Sequence, residues 1–188
     1  MKKSIFLAAL VLMSAGCFAQ KANVSKARGL ADAETPDYAG ARAAIAEALQ
    51  NEETKEQANT WYVAGFIGYK EFETANLNRQ IGRNIDFDQW GAAVYESVGY
   101  WDKAYELAMI PTYDKKGRAK YDTRTPKNIL PKLQEYFMYQ PMIIAGFNAY
   151  EANNPSLAYD MFIKHCNIPD AKIFQDNPEE AAKLLRDT

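Results

Sequence analysis

Apolar residues recur every three or four positions through almost the whole chain, and nowhere do they alternate every second residue over the length of a strand. Trp90, Ala93, Val94, Ser97, Trp101, Ala104, Tyr105 and Ala108 make one continuous stripe. Tyr38, Ala41, Ala44, Ile45, Ala48 and Leu49 make a second, and Ala58, Trp61, Gly65, Gly68 and Phe72 a third. At 3.6 residues per turn such spacing lays each set on one side of a helix, ready to be buried against another helix. The expected fold is all-α, with no β-sheet.

Punctuation divides the stripes into elements. Asp37 follows Pro36 and opens a helix, and Asp86 stands where it can cap the long helix beginning near Phe87. Asn154-Pro155 reads as an N-cap with proline at the first helical position. Asn177-Pro178-Glu179-Glu180 repeats the arrangement, with Glu180 placed to close a capping box. Pro141 falls within an otherwise helical stretch and should kink or split it, because it removes a backbone donor. The expected helices are 22–34, 38–52, 55–77, 87–109, 127–153, 156–167 and 178–186. Two long connections remain, 78–86 and 110–126. The second carries Lys115, Lys116, Arg118, Lys120 and Arg124 against Asp114 and Asp122. Such a run can meet an anionic partner, but the general polarity of surface loops favours plain solvation.

Residues 1–19 read as a secretory signal peptide: Lys2 and Lys3, an apolar run from Ile5 to Met13, then small residues. The run is far short of the roughly 20 residues a transmembrane helix needs, and nothing later approaches that length. Cys17-Phe18-Ala19 suits cleavage before Gln20. Ser14-Ala15-Gly16-Cys17 is the competing reading, a lipobox with a lipid anchor at Cys17, although Ser14 stands where such boxes usually carry Leu. The domain is then 20–188, exported to the periplasm or the outer membrane. Cleavage would leave Cys166 as the sole thiol, so an internal disulfide is not expected.

Charge narrows the function. The 188 residues carry 22 Lys plus Arg against 24 Asp plus Glu, a net charge of −2, which argues against nucleic acid as a partner. One His and two Cys exclude a dedicated zinc module. His165 and Cys166 are consecutive and point about 100° apart on a helix, so a catalytic dyad is not expected. The plain expectation is His165 at a packing position and Cys166 as a small buried hydrophobe. Asp86-Phe87-Asp88 lacks the further oxygen ligands and Gly of a calcium loop. No Gly-rich phosphate loop, nucleophile elbow or H-E-x-x-H is present. No catalytic residue, metal or cofactor is assigned, and the chain is expected not to be an enzyme.

One spacing recurs: small, three others, bulky apolar, two others, then usually small. It appears as Ala41-x3-Ile45-x2-Ala48, Ser97-x3-Trp101-x2-Ala104 and Ala158-x3-Phe162-x2-His165. Its partner is a tight pair of small residues, Trp61-x2-Ala64-Gly65, echoed by Ala145-Gly146. Small residues let helix axes approach while the bulky one fills the neighbour's hole. These motifs resemble the tetratricopeptide repeat family, with W-x2-L-G-x2-Y in the first helix and A-x3-F-x2-A in the second. The resemblance covers nearly all of 22–167 and implies a superhelix of about three helix pairs. Departures are plain: Ala64 replaces Leu, Gly68 replaces Tyr, and the repeat distance exceeds the usual 34 residues, so the chain looks like a divergent member with insertions. The strip Ala181, Leu184 and Leu185 suits a capping helix and equally the start of another repeat.

The resemblance implies that the first helix of each pair lines a concave groove. Asn59, Tyr62, Phe66, Tyr69 and Lys70 take that position in the middle unit, and Gln140, Ile143, Phe147, Tyr150 and Glu151 in the last. Their aromatic rings suit a docked peptide or helix. They equally suit packing between helices, the commoner fate of an aromatic stripe. The expected role is a non-enzymatic scaffold for protein–protein contact in the cell envelope. The alternative is a carbohydrate- or small-ligand-binding envelope protein, its rings stacked on sugars.

Overall fold

The computed structural model describes residues 21–184; the signal-peptide and Cys17 expectations, and Leu185, lie outside them. Helix α1 covers 21–31. It is followed by α2 (Tyr38–Gln50), α3 (Ala58–Gln80) and α4 (Phe87–Ala108). A small hairpin, β1 (Thr112–Tyr113) and β2 (Ala119–Lys120), precedes α5 (Arg124–Tyr139), α6 (Pro141–Glu151) and α7 (Pro155–Asn167). A 3-10 turn at Ile168–Asp170 leads into the short α8 (Lys172–Gln175) and α9 (Pro178–Leu184). The described chain is all-α apart from the hairpin.

The hairpin corrects the expectation of no sheet. Its register pairs Thr112 with Lys120 and Tyr113 with Ala119. The turn between them is held by the Asp114 carboxylate, which accepts from the backbone N–H groups of Lys116 (2.8 Å) and Arg118 (3.0 Å), and by Gly117 at φ +74°. Two-residue strands are too short to leave an alternating pattern in the sequence.

The caps at Asp37, Asp86 and Asn154 form as expected, each side chain accepting from a backbone N–H three residues on. Glu180 does something else. Its carboxylate accepts from Gln134 (2.8 Å) and Lys183 (2.5 Å), tying α9 to α5 instead of closing a capping box. The stretch expected as one helix over 127–153 is cut at Gln140, which takes a left-handed conformation (φ 49°, ψ 43°). Pro141 is the cause: it lacks an N–H and pushes its predecessor out of the right-handed helical region.

The α3–α4 pair is the centre. Helix α2 packs on α3, α6 on α4, and α7 on α6, while α5 spans α3 and α4 and the C-terminal elements return to α4 and α5. Small residues set the spacing. At Gly65 the Trp101 indole lies where a Cβ would stand, and at Gly146 the Phe162 ring comes within 2.5 Å of that position. Trp101 Nε1–H donates to the Tyr62 carbonyl (3.1 Å), and the Ser97 hydroxyl reaches the Gly65 carbonyl (2.8 Å). Trp101 is 1 % exposed. A cluster of rings builds out from it: Tyr62 and Tyr136 stack on the indole, and Tyr136 meets Phe72 edge-on at 4.8 Å.

Helix α2 is bound by charge as well as by its alanines. Arg42 bridges Glu71 of α3 (2.5 Å) and Glu96 of α4 (2.7 Å), and Gln89 donates to the other oxygen of Glu71 at 2.6 Å. Glu71 is 7 % exposed, a position that a carboxylate holds only when paired.

His165 faces inward from α7 as expected, stacked on Phe137 at 4.7 Å, with Nδ1 buried and unpartnered. Cys166 does not: it is exposed, one residue and 100° round from His165, which shares the buried face with Ala158 and Met161. Burial holds the His165 pKa below the ordinary 6.5. The unfolded chain therefore takes up the proton first as pH falls. The contribution to stability is complete above about pH 6.5 and is lost progressively below it. His165→Phe keeps the stack and should flatten this part of the stability–pH profile, measured by urea unfolding at a series of pH values.

Candidate functional site: an aromatic face covered by helices and a basic cleft beside it

The residues expected to line a groove separate into two groups. On α3, Tyr62 (7 % exposed), Phe66 (7 %) and Tyr69 (5 %) are buried, which corrects the picture of an open aromatic groove. They are covered by neighbours that the repeat pattern does not supply. Helix α5 lays Tyr136 and Lys132 against Tyr69, with Lys132 Nζ 4.5 Å from the ring centre. From α1, the Arg28 guanidinium lies 5.2 Å from the Phe66 ring centre, and Lys70 stands 6.0 Å from the same ring. The Tyr69 hydroxyl donates to Glu135 of α5 at 2.8 Å. Burial raises the Tyr69 pKa, and the hydrogen bonds with Glu135 and Glu73 raise it further. Lys70 is engaged by Asp32 (3.1 Å) and Glu73 (2.8 Å).

On α6, Phe147 and Tyr150 are 58 % and 66 % exposed. Phe147 meets the edge of Phe162 on α7 at 5.3 Å. Helices α3 and α6 both pack on α4, and the α6 rings make no ring contact with those of α3. Buried rings on α3 and open rings on α6 do not make one exposed aromatic face.

A different opening lies at the N-terminal end of α3. Asn59, exposed there, and the rim of Tyr62 line a cleft of about 440 Å³ together with Arg28 of α1, Tyr121, Asp122 and Thr123 after the hairpin, and Arg124, Thr125 and Asn128 of α5. Burial pushes the Tyr62 phenol up, and the positive charge of Arg28 opposes that. Asp122 builds the far wall. Its carboxylate accepts from the N–H groups of Arg124 (2.9 Å) and Thr125 (3.2 Å) and from the Thr125 hydroxyl (2.6 Å). Burial disfavours its charge, but the bonds from Thr125 and Arg124 outweigh this and hold its carboxyl below the usual value. Pro126 sits in the first turn of α5, where a missing N–H costs nothing.

The cleft therefore combines two guanidinium groups, two side-chain amides, two phenols, two threonine hydroxyls and the Asp122 carboxylate. Among the described residues no carboxylate lies within ion-pair distance of Arg28 or Arg124. Such a lining binds anionic and amide groups, and the Thr125 hydroxyl in it is held by the Asp122 carboxylate. Among the described residues no three His, Cys, Asp or Glu side chains are placed to hold a metal ion. Of the cleft residues, Asn59 and Tyr62 are legible from the repeat pattern, and Arg124 from the basic run. Arg28 and Asn128 are not, because nothing in the order of residues says that α1 and α5 meet across the end of α3.

No described helix is long and apolar enough to cross a membrane. Compared with protein-family models, curated proteins and solved structures, the chain matches none of them.

Proposed function

We propose that the chain is an exported, non-enzymatic scaffold of tetratricopeptide-like helix pairs that mediates protein–protein contact in the bacterial cell envelope. The tetratricopeptide-like reading is supported by the small-to-bulky contacts Gly65–Trp101 and Gly146–Phe162, which join the two helices of the α3–α4 and α6–α7 pairs. The observation that carries the binding role is the cleft at the α1–α3–α5 junction: among the described residues its two arginines have no carboxylate within ion-pair distance, and the Asn59 and Asn128 side chains make no hydrogen bond. A polypeptide supplies both complements, a backbone that donates and accepts and side chains that carry charge.

The alternative, a carbohydrate- or small-ligand-binding envelope protein, draws support from Phe147 and Tyr150, whose rings stand open on α6. The rings of α3 give it none, since a buried ring has no face to offer a sugar.

The test is capture from envelope extract by the purified protein, by Asn59→Trp, which fills the cleft from an exposed position, and by Phe147→Ser/Tyr150→Ser. A protein held by the wild type and the α6 variant but lost from Asn59→Trp is the expected result. Capture that ignores Asn59→Trp would sink the cleft as the partner site, and loss confined to the α6 variant would move it to those rings.

A further inference from the structure

The 110–123 connection, together with the first turn of α5 as far as Lys127, is a built arm. Asp122 N–H donates to the Ala108 carbonyl at the end of α4 (3.1 Å), so the segment returns to its own starting point before α5 begins. Between these ends the two strands and the Asp114 turn hold the hairpin in one shape. Six cations (Lys115, Lys116, Arg118, Lys120, Arg124 and Lys127) face two carboxylates in this segment, a local charge of +4 in a chain whose net charge is −2. Among the described residues only Arg118 of the six has an ion-pair partner, Asp114 at 2.7 Å. Tyr113 and Tyr121 stand out from the hairpin at 70 % and 53 % exposure. Tyr121 and Arg124 are also walls of the cleft, so hairpin and cleft form one surface.

Resting on the binding role proposed above, we propose that this hairpin is the docking arm for an acidic polypeptide segment, which runs along its lysines and enters the cleft between Arg28 and Arg124. The charge concentrated on the arm selects an anionic partner, because like charge elsewhere on the chain repels one. The cleft selects a polypeptide over a lipid surface. Asn59 and Asn128 line a recess that an extended chain enters and a planar membrane does not, and an amide both donates to and accepts from a peptide backbone. The exposed tyrosines add large, rather rigid contact area beside the charges, the pairing that carries energy in protein interfaces.

The test is fluorescence anisotropy with the purified protein and labelled peptides of alternating Glu and Ser, beside the same peptides with Gln for Glu. The variant is Lys115→Gln/Lys116→Gln/Lys120→Gln, all exposed and none in a helix; the charge-matched control is Lys26→Gln/Lys103→Gln/Lys172→Gln. The acidic peptide should bind, the Gln peptide should not, and added salt should weaken binding. The hairpin variant should lose about tenfold or more in affinity, while the control loses little. Equal binding of the two peptides, or equal loss in the two variants, would overturn the inference. So would displacement of the acidic peptide by phosphatidylglycerol vesicles that depend on the same lysines, which would make the arm a lipid contact. If Asn59→Trp abolishes partner capture while the hairpin variant captures normally, the cleft stands and the acidic partner falls.

Discussion

Trp101→Ala is expected to lower the free energy of unfolding by about 3–5 kcal/mol, the range for removing a large aromatic side chain from a packed core. The indole fills the space left open at Gly65, stacks against Tyr62 and Tyr136, and satisfies the Tyr62 carbonyl through Nε1. Alanine removes all three at once, and the α3–α4 backbones are already too close to collapse into the hole. Urea unfolding followed by far-ultraviolet circular dichroism reads the effect, with an unchanged slope against denaturant showing that the native state stays compact. Gly65→Ala attacks the same contact from the other side by driving a methyl group into the ring, at about 1–3 kcal/mol. Because both changes act on one contact, the double variant should cost clearly less than the sum of the two. Strict additivity would mean that the indole is not held by the glycine.

Arg42→Met should cost about 2–3 kcal/mol, less than a fully buried pair because a third of the Arg42 side chain remains exposed. The penalty is the Glu71 carboxylate, left at 7 % exposure with Gln89 as its remaining partner among the described residues. Burial alone would pull the Arg42 pKa down, but the hydrogen bonds and charges of Glu96 and Glu71 raise it, so the cation persists at any ordinary pH. The double variant Arg42→Met/Glu71→Met removes the stranded charge together with its partner. It should recover most of the loss, since an apolar pair of similar size replaces a buried ion pair at little cost. If the double variant is as unstable as the single, the loss comes from packing at α2 and not from the carboxylate.

The residues that were legible in order are those whose role is local. The stripe from Trp90 to Ala108 and the caps at Asp37, Asp86 and Asn154 depend on spacings of three and four residues within one element. The break at Pro141 is equally local, being a property of one ring and the residue before it. Gly65 with Trp101 and Gly146 with Phe162 were legible one step further out, because a small residue on one helix and a bulky one on the next are complementary shapes. The groove was not. Tyr62, Phe66 and Tyr69 sit at positions that a regular array would leave open, and α5 and α1 cover them from more distant parts of the chain.

The sequence by itself determined that the chain packs helices, where most of them start and stop, and which side of each is buried. Those outcomes follow from helical periodicity, backbone chemistry and the volume of single side chains. The tertiary structure decided which helices meet: that α5 turns back across α3 and α4, that α9 returns to α5, and that Arg28 and Asn59 share a cleft with Arg124. An amphipathic helix specifies that it needs a partner but not which one. That choice falls to the combined fit of every apolar face, and it alone turned a basic connection into an arm beside a cleft.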